Sequence, residues 1–477
     1  MQFSAAATRI CLTAVALLVP CAAGAASPRC ATPLELADGW VIAADTATAG
    51  FDADKLCEAM QTFASSARNL HGLVIERQGQ LVAEQYRAGK DATTFTVIPT
   101  TTRFDAGTRH DMRSITKSVV SLLWGIAQAE GSTPPLQTPV LGLMPELADL
   151  MTDGRERITV EDLLGMRSGL NWNEGGNYRS WQNDENGLMW RGDQARYLFD
   201  RPMAAPAGTR FNYNGGSTAV LGLILAQRTG LALPELARRK LFEPLGITDW
   251  EWGSDLRGRP RAYSGLRMRP RDLAKLGRMV LDAGAWQGRQ IVPGAWLQAS
   301  FTPRPPNVDY GYQWWMGNVW ANGKGYAWRG GLGNGGQRLF MLPELDLVVV
   351  MTAGEYNDGS VGRELARLLS LIVAAARGGE GAVAAQAALP DAQNLPVGAS
   401  AVYTRAVIRS VFEEGAGPRL YIRLKLLPRA KIPFSTLTYR VLDRGLIAAL
   451  PAGTSVEFRA QRIDGQNILT AIRQRMP

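Results

Sequence analysis

Ser114 and Lys117 stand three residues apart in the run Met112-Arg113-Ser114-Ile115-Thr116-Lys117-Ser118. On a helix, positions i and i+3 share a face, so the serine hydroxyl and the lysine amine can meet. That pairing suits a serine hydrolase in which an amine replaces histidine. Lysine acts as a base only where burial or a neighbour lowers its pKa, and a tyrosine hydroxyl beside it can relay the proton. The four-residue pattern alone is weak, since about one match is expected by chance in a chain of this size. What the chain lacks strengthens it. Only two histidines occur in 477 residues, His71 at the start of an expected strand and His110 just before the Ser114 helix. They offer little to a Ser-His-Asp triad and cannot assemble a histidine-rich metal site, so no metal and no cofactor is expected. No G-x-S-x-G elbow and no Walker loop is present.

The elements that must position Ser114 can be read from periodicity. Apolar residues recur at helical spacing from Asp52 to Asn69, and a second helix is expected from Ser114 to Ala129. Between them, His71 to Tyr86 reads as two strands around a glycine-containing turn. Helices and loops punctuated by Pro and Gly fill residues 130 to 305. Strand patterns return at Tyr310–Trp315, Gly336–Leu342 and Leu347–Met351, and a helix follows from Val361 to Ala376. Strands, helices, strands, helix describe an α+β domain, its sheet assembled from both ends with a helical region inserted between. Residues 377–398 read as a linker. Five short alternating runs in the remaining 399–477 suggest a small barrel.

Composition and targeting bound the setting. Hydrophobic content of 46% and charged content of 20% fit a globular chain with a full core. Residues 1–25 read as a signal peptide: Arg9, an apolar run from Ile10 to Val19, and small residues ending in an A-x-A site near Ala25. The run is too short to span a bilayer comfortably, so the mature chain is expected to be periplasmic or secreted, without an integral span. Of four cysteines, Cys30 and Cys57 remain after cleavage. In an oxidising compartment they suggest a disulfide pinning the N-terminal segment to the first helix, two unrelated thiols being the alternative. The net charge of +9 is uneven, with thirteen Lys and Arg against five acids from Ser400 onward. A basic exported tail could touch an anionic envelope surface, although such charge is more often a solvated face. No aromatic-interleaved basic patch argues for nucleic acid.

Five segments carry a resemblance. They are His110–Ser118; Ile158–Leu170; Pro206–Gly216, reaching Leu221-Gly222; Arg269–Gly277; and Gly330–Gln337, running on to Pro343–Val350. In this order, residues 26–376 resemble the class C β-lactamase and penicillin-recognising serine hydrolase family, and most closely its esterase and 6-aminohexanoate-dimer-hydrolase branch. The resemblance implies a β-lactamase-like fold, an antiparallel sheet flanked by helices. It implies that Ser114 attacks a carbonyl and that Lys117 and Tyr213 manage its proton, a packed core tyrosine being the bland reading of Tyr213. Counting back from Pro343 places Trp328-Arg329-Gly330 where the family has K-[ST]-G, with the backbone N–H groups of Ser114 and Gly331 as the oxyanion hole. A shorter hairpin would move the second donor towards Asn334. Trp172, Tyr178 and Trp181 occupy the segment that should border the pocket, as structural or substrate-binding residues.

Two departures narrow the chemistry. Trp328 replaces the lysine of K-T-G, and Gly215 replaces the asparagine of Y-x-N. Those lost groups orient the substrate's carboxylate and amide in the family, so esters and small linear amides fit better than β-lactams. A cell-wall D-amino-acid peptidase of the same fold and a catalytically silent envelope-binding protein are the other readings. The tail is similar to the periplasmic copper- and silver-binding CusF-type barrel, an OB-like fold, through Ile432–Val441 and Leu450–Phe458. Its metal-ligand positions hold Leu426, Ser435, Leu437 and Ile432, none of them a soft or imidazole ligand, so a metal-free barrel is expected.

Overall fold

The structure is a computed structural model. It describes residues 30–93, 98–175, 178, 180–305 and 309–377, then 404–413, 420–426, 436–441, 444–447, 450–451, 453–463 and 466–474. The expected signal peptide, nearly all of the expected linker, and Ile432 and Ser435 lie outside these residues. The chain divides into two compact units, residues 1–384 and 385–477.

The first unit is built on one seven-stranded sheet. In chain order its strands are β1 (Val41–Ile42), β2 (Leu70–Arg77), β3 (Gln80–Tyr86), β4 (Trp315–Ala321), β5 (Lys324–Gly333), β6 (Gln337–Leu342) and β7 (Leu347–Ala353). In space they run β1-β3-β2-β7-β6-β5-β4. All neighbours are antiparallel except β1, which pairs parallel with β3, so the expected antiparallel sheet is in fact mixed at one edge. A two-residue turn joins β2 to β3. Gln78 and Gly79 both have positive φ, 54° and 82°, the backbone twist that matches a tight hairpin.

All eight residues of β2 and all seven of β7 are buried, as expected of strands covered on both faces. Alternation then sorts their side chains. Val74, Val348 and Val350 face the layer that contains helix α2 (Ile115–Ala129), while Leu73, Ile75, Val349 and Met351 face helices α1 (Ala53–Ser65) and α3 (Val361–Ala375). Helix α1 starts where the Asp52 carboxylate accepts the Lys55 N–H at 3.2 Å. The Cys30–Cys57 disulfide ties the N-terminal segment to this helix. Helix α2 is enclosed all round: each residue from Ile115 to Ala127 is buried, the polar Thr116, Lys117, Ser118 and Ser121 included. Among the described residues no single helix is long and apolar enough to cross a membrane.

Two expectations shift. Tyr310–Trp315 is an isolated bridge, with β4 beginning at Trp315, and β5 is a full strand that periodicity had not separated. In the second unit the five expected strands are present, as Thr404–Glu413, Leu420–Leu426, Thr436–Val441, Ser455–Ile463 and Gln466–Gln474. Each pairs with two others, the pair Thr436–Val441 and Gln466–Gln474 in parallel, around Ile408, Ile422, Leu424, Val456 and Phe458.

Candidate active site

Ser114 sits at the mouth of α2, directly after Arg113, whose φ of 51° is unusual for a residue with a Cβ. That turn leaves Ser114 partly exposed while the next thirteen residues are enclosed. One helical turn on, the Lys117 ammonium donates to Ser114 Oγ at 3.2 Å. Lys117 is 1% exposed, and its nitrogen has three further partners. It donates to Glu185 Oε2 at 3.1 Å and to the Tyr263 carbonyl at 3.0 Å, and lies 3.6 Å from Glu174 Oε1. The Tyr213 ring lies beside it, 4.9 Å from nitrogen to ring centre, and Ser114 is close enough to pull the Tyr213 phenol down against the rise that burial causes.

The carboxylates are held as firmly as the lysine. Glu174 accepts from Trp172 Nε1 at 2.9 Å, from the Tyr178 hydroxyl at 3.3 Å and from the Gly215 N–H. Glu185 lies in the first turn of a short helix capped by Asn183, with Glu174 as its acidic neighbour. Gly215 explains the space they occupy. A Cβ there would stand 2.7 Å from Glu185 Oε2 and 3.1 Å from Glu174 Oε2. The bare position after Tyr213-Asn214 is filled by two acids.

These contacts set the protonation states. Burial pulls the Lys117 ammonium down, but Glu185, Tyr213 and Glu174 together outweigh it and hold the group well above its ordinary range. The expectation of a lysine with a lowered pKa is therefore reversed, because the buried amine has buried carboxylates beside it. Burial pushes the Glu185 carboxyl up to about 8; Lys117 opposes that rise and Glu174 reinforces it. Tyr213 is raised by burial, with Lys117 pulling against it. At neutral pH the cluster holds a charged lysine, a neutral phenol and a Glu185 carboxyl that keeps its proton.

A cavity of about 170 Å³ opens on Ser114, lined also by Arg113, Tyr178, Glu185, Arg261 and Asn334. Residues 56–374 match the family model described as Beta-lactamase. The chain belongs to the beta-lactamase family. It is 30% identical over 302 residues to the 6-aminohexanoate-dimer hydrolase of Paenarthrobacter ureafaciens, covering 58% of this chain and 70% of that one. Among solved structures it resembles a penicillin-binding protein homologue from Caulobacter crescentus at a TM-score of 0.51 and 17% identity, over 70% of this chain and 98% of that one. A family VIII carboxylesterase gives a TM-score of 0.51 at 16% identity, over 68% and 98% of the two chains. The family thus brings amide hydrolases and carboxylesterases as neighbours, on a β-lactamase fold.

Within this beta-lactamase-family site, Ser114, Lys117, Tyr213 and Tyr178 come together as the sequence implies. Trp172 is buried beneath, anchoring Glu174, and Trp181 is 87% exposed near Trp190. The triplet Trp328-Arg329-Gly330 does not line the cavity. Trp328 packs edge-on to Phe340 on the α1/α3 face of the sheet, the face away from Ser114, and Arg329 lies over Phe301. The cause is register. Strand β5 runs on to Gly333, which pairs with Gln337, so the hairpin is tighter than the count from Pro343 assumed. Gly331 rests against the Ile115 side chain, Gly333 against the Met112 carbonyl, and Asn334 is the turn residue that reaches the cavity. Glu174 and Glu185 are the functional candidates that sequence reasoning missed. The available signal was Lys117 itself: a lysine on a helix this apolar needs a buried counter-charge.

Proposed function

We propose that the protein is an exported serine hydrolase that cleaves an ester or small linear amide through an acyl-Ser114 intermediate. The observation that carries this reading is Ser114 Oγ 3.2 Å from a buried, carboxylate-held Lys117 with the Tyr213 phenol alongside. Lys117 remains an ammonium, and the proton moves through Tyr213. Ser114 Oγ attacks the carbonyl carbon, and its proton passes to the Tyr213 oxygen as the phenol proton passes to the leaving oxygen or nitrogen. The Lys117 charge stabilises the phenolate character this transfer develops. The oxyanion takes the Ser114 N–H and a second donor from the Gly331–Asn334 segment, Asn334 being favoured by its place on the cavity. Water then reverses the relay and releases the acid. Residues 399–477 are read as an OB-like barrel related to the CusF type and stripped of its metal ligands, its basic surface available for envelope contact.

A fluorophosphonate probe and p-nitrophenyl esters, applied to the wild type and to Ser114→Ala, test the mechanism. Labelling and turnover should both vanish in the variant. A wild type that neither labels nor hydrolyses esters or small linear amides would remove the enzyme reading, and labelling that survives Ser114→Ala would point to another serine.

A further inference from the structure

We propose that His71, His110 and Asp91 form a buried site for one divalent transition-metal ion of the zinc type, separate from the Ser114 cavity. The chain's two histidines lie 39 positions apart in sequence, yet their rings meet, with His71 Nδ1 2.8 Å from His110 Nε2. A carboxylate oxygen of Asp91 joins them, all three ligand atoms lying within 4.8 Å of one another. His71 and His110 are fully enclosed and Asp91 is 3% exposed.

Proton counting makes this more than proximity. His71 Nε2 faces Asn69 Oδ1 at 3.1 Å. The Asn69 amide cannot be turned around, because Oδ1 accepts the Lys90 N–H at 3.0 Å and Nδ2 donates to the Lys90 carbonyl at 2.6 Å. His71 Nε2 must therefore carry the proton. His110 Nδ1 faces the Asp111 carbonyl at 3.2 Å, which again asks for an N–H. A neutral imidazole has one proton. With both spent on the outer nitrogens, the inner nitrogens turn two lone pairs towards each other at 2.8 Å, and a cation between them resolves the conflict. Moving the His110 proton inward instead would set a lone pair against the Asp111 carbonyl.

The donor set selects the cation. Two neutral imidazole nitrogens and one carboxylate are zinc ligands, and outer ring nitrogens tied to carbonyl oxygens are the usual orienting contacts of metal-bound histidine. Asp91 is oriented in turn by the Tyr356 hydroxyl at 2.7 Å. The backbone leaves deliberate room for the ring: a Cβ on Gly89 or on Gly354 would stand 2.6 Å from His71 atoms. Neighbours of the three ligands (Asn69, Lys90, Ala92, Gly354 and Tyr356) line a cavity of about 590 Å³. The ion would tie β2 to the strand Ala88–Asp91 and to the short strand His110–Asp111, which leads within three residues to Ser114.

The test uses the full-length exported protein, stripped with a chelator and re-equilibrated with Zn²⁺ or Co²⁺. Expected are one zinc per chain after gel filtration, a visible tetrahedral-type Co²⁺ absorption band, and a melting temperature that rises with Zn²⁺. The near-isosteric Asp91→Asn should bind zinc at least tenfold more weakly and lose the melting shift, and the double variant His71→Gln/His110→Asn should lose the cobalt band. Should the histidine variants not fold, the wild-type cobalt spectrum and Asp91→Asn decide. A wild type that retains no zinc, shows no cobalt band and does not shift overturns the site, as does zinc that stays in Asp91→Asn at wild-type affinity.

Discussion

Two buried polar clusters flank the start of α2, and they solve opposite problems. Around Lys117 the charges close among themselves, one ammonium held between the carboxyl groups of Glu174 and Glu185. Around His71 and His110 the hydrogen bonds are individually sound, yet the protons available do not satisfy them all. Burial makes both demanding, since a polar group withdrawn from water must find its partner inside the protein. The first cluster is complete as a machine for proton transfer. The second is complete only as a ligand set. A self-neutralised cluster predicts damage when one member is removed, whereas a ligand set predicts a response to something added.

The largest break in that contrast is Lys117→Met. It removes the cation that Ser114 and Tyr213 face, and activity should fall by roughly 10³-fold or more, as for loss of a residue that acts as a unit with its partners. It also leaves Glu174 and Glu185 buried without their counter-charge, a loss of about 3–5 kcal/mol. Lys117 holds the Glu185 carboxyl down, so its loss raises that carboxyl further, and the stability deficit measured by urea unfolding should shrink as the pH is lowered from 9 to 7. A deficit independent of pH would mean the acids were not held by Lys117.

Next in size is a pair of glycine substitutions, one in each cluster. Gly215→Ala places a methyl 2.7 Å from Glu185 Oε2, and should cost about 1–3 kcal/mol by overpacking and lower kcat by roughly tenfold as the acids shift away from Lys117. Gly354→Ala drives a methyl to 2.6 Å from His71 and 2.3 Å from the Lys90 carbonyl, with a similar loss of stability. Its kcat should stay within about twofold, because its effect falls on the ligand set rather than on the relay. Equal losses of activity in the two variants would erase the distinction drawn between the clusters.

Glu185→Gln is gentler, since it keeps the shape while removing the titration. The Glu185 carboxyl, raised by burial to about 8 from an ordinary 4.5, binds its proton more tightly folded than unfolded. Its contribution is fully present below about 4.5 and is lost as the pH rises towards 8. The wild type should therefore lose melting temperature between pH 5 and 8 more steeply than Glu185→Gln does. Parallel pH profiles would mean that Glu185 does not carry the titration.

How far these clusters could be read in advance depended on what joins their members. Ser114 and Lys117 are linked by one turn of helix, which periodicity supplies, and Tyr213 by a motif adjoining the next helix. Glu174 and Glu185 meet Lys117 from far along the chain, and nothing local around either acid encodes that contact. The meeting of His71 with His110 likewise depends on strands that pair elsewhere. Strands β2, β3, β6 and β7 and helices α1, α2 and α3 were legible because burial on one or both faces leaves a period. Tyr310–Trp315 misled because aromatic residues that look like a strand instead pack around Tyr213, with Tyr310 and Trp315 at 6.0 and 5.5 Å between ring centres.

The smallest expected effect checks the register of β5. A K-[ST]-G count puts Trp328 against substrate, whereas alternation along the strand puts it on the α1/α3 face with Phe340, 5.0 Å between ring centres. Trp328→Phe keeps an aromatic ring there and should cost less than about 1.5 kcal/mol. Ester kcat/KM should stay within about twofold, because the Ser114 face of the sheet carries Arg329, Gly331 and Gly333 at that edge, and the tryptophan reaches none of the groups that move the proton. A KM raised tenfold with stability unchanged would return Trp328 to the pocket. It would also reopen the position of the second oxyanion donor, since Gly331 and Asn334 are fixed by the same register.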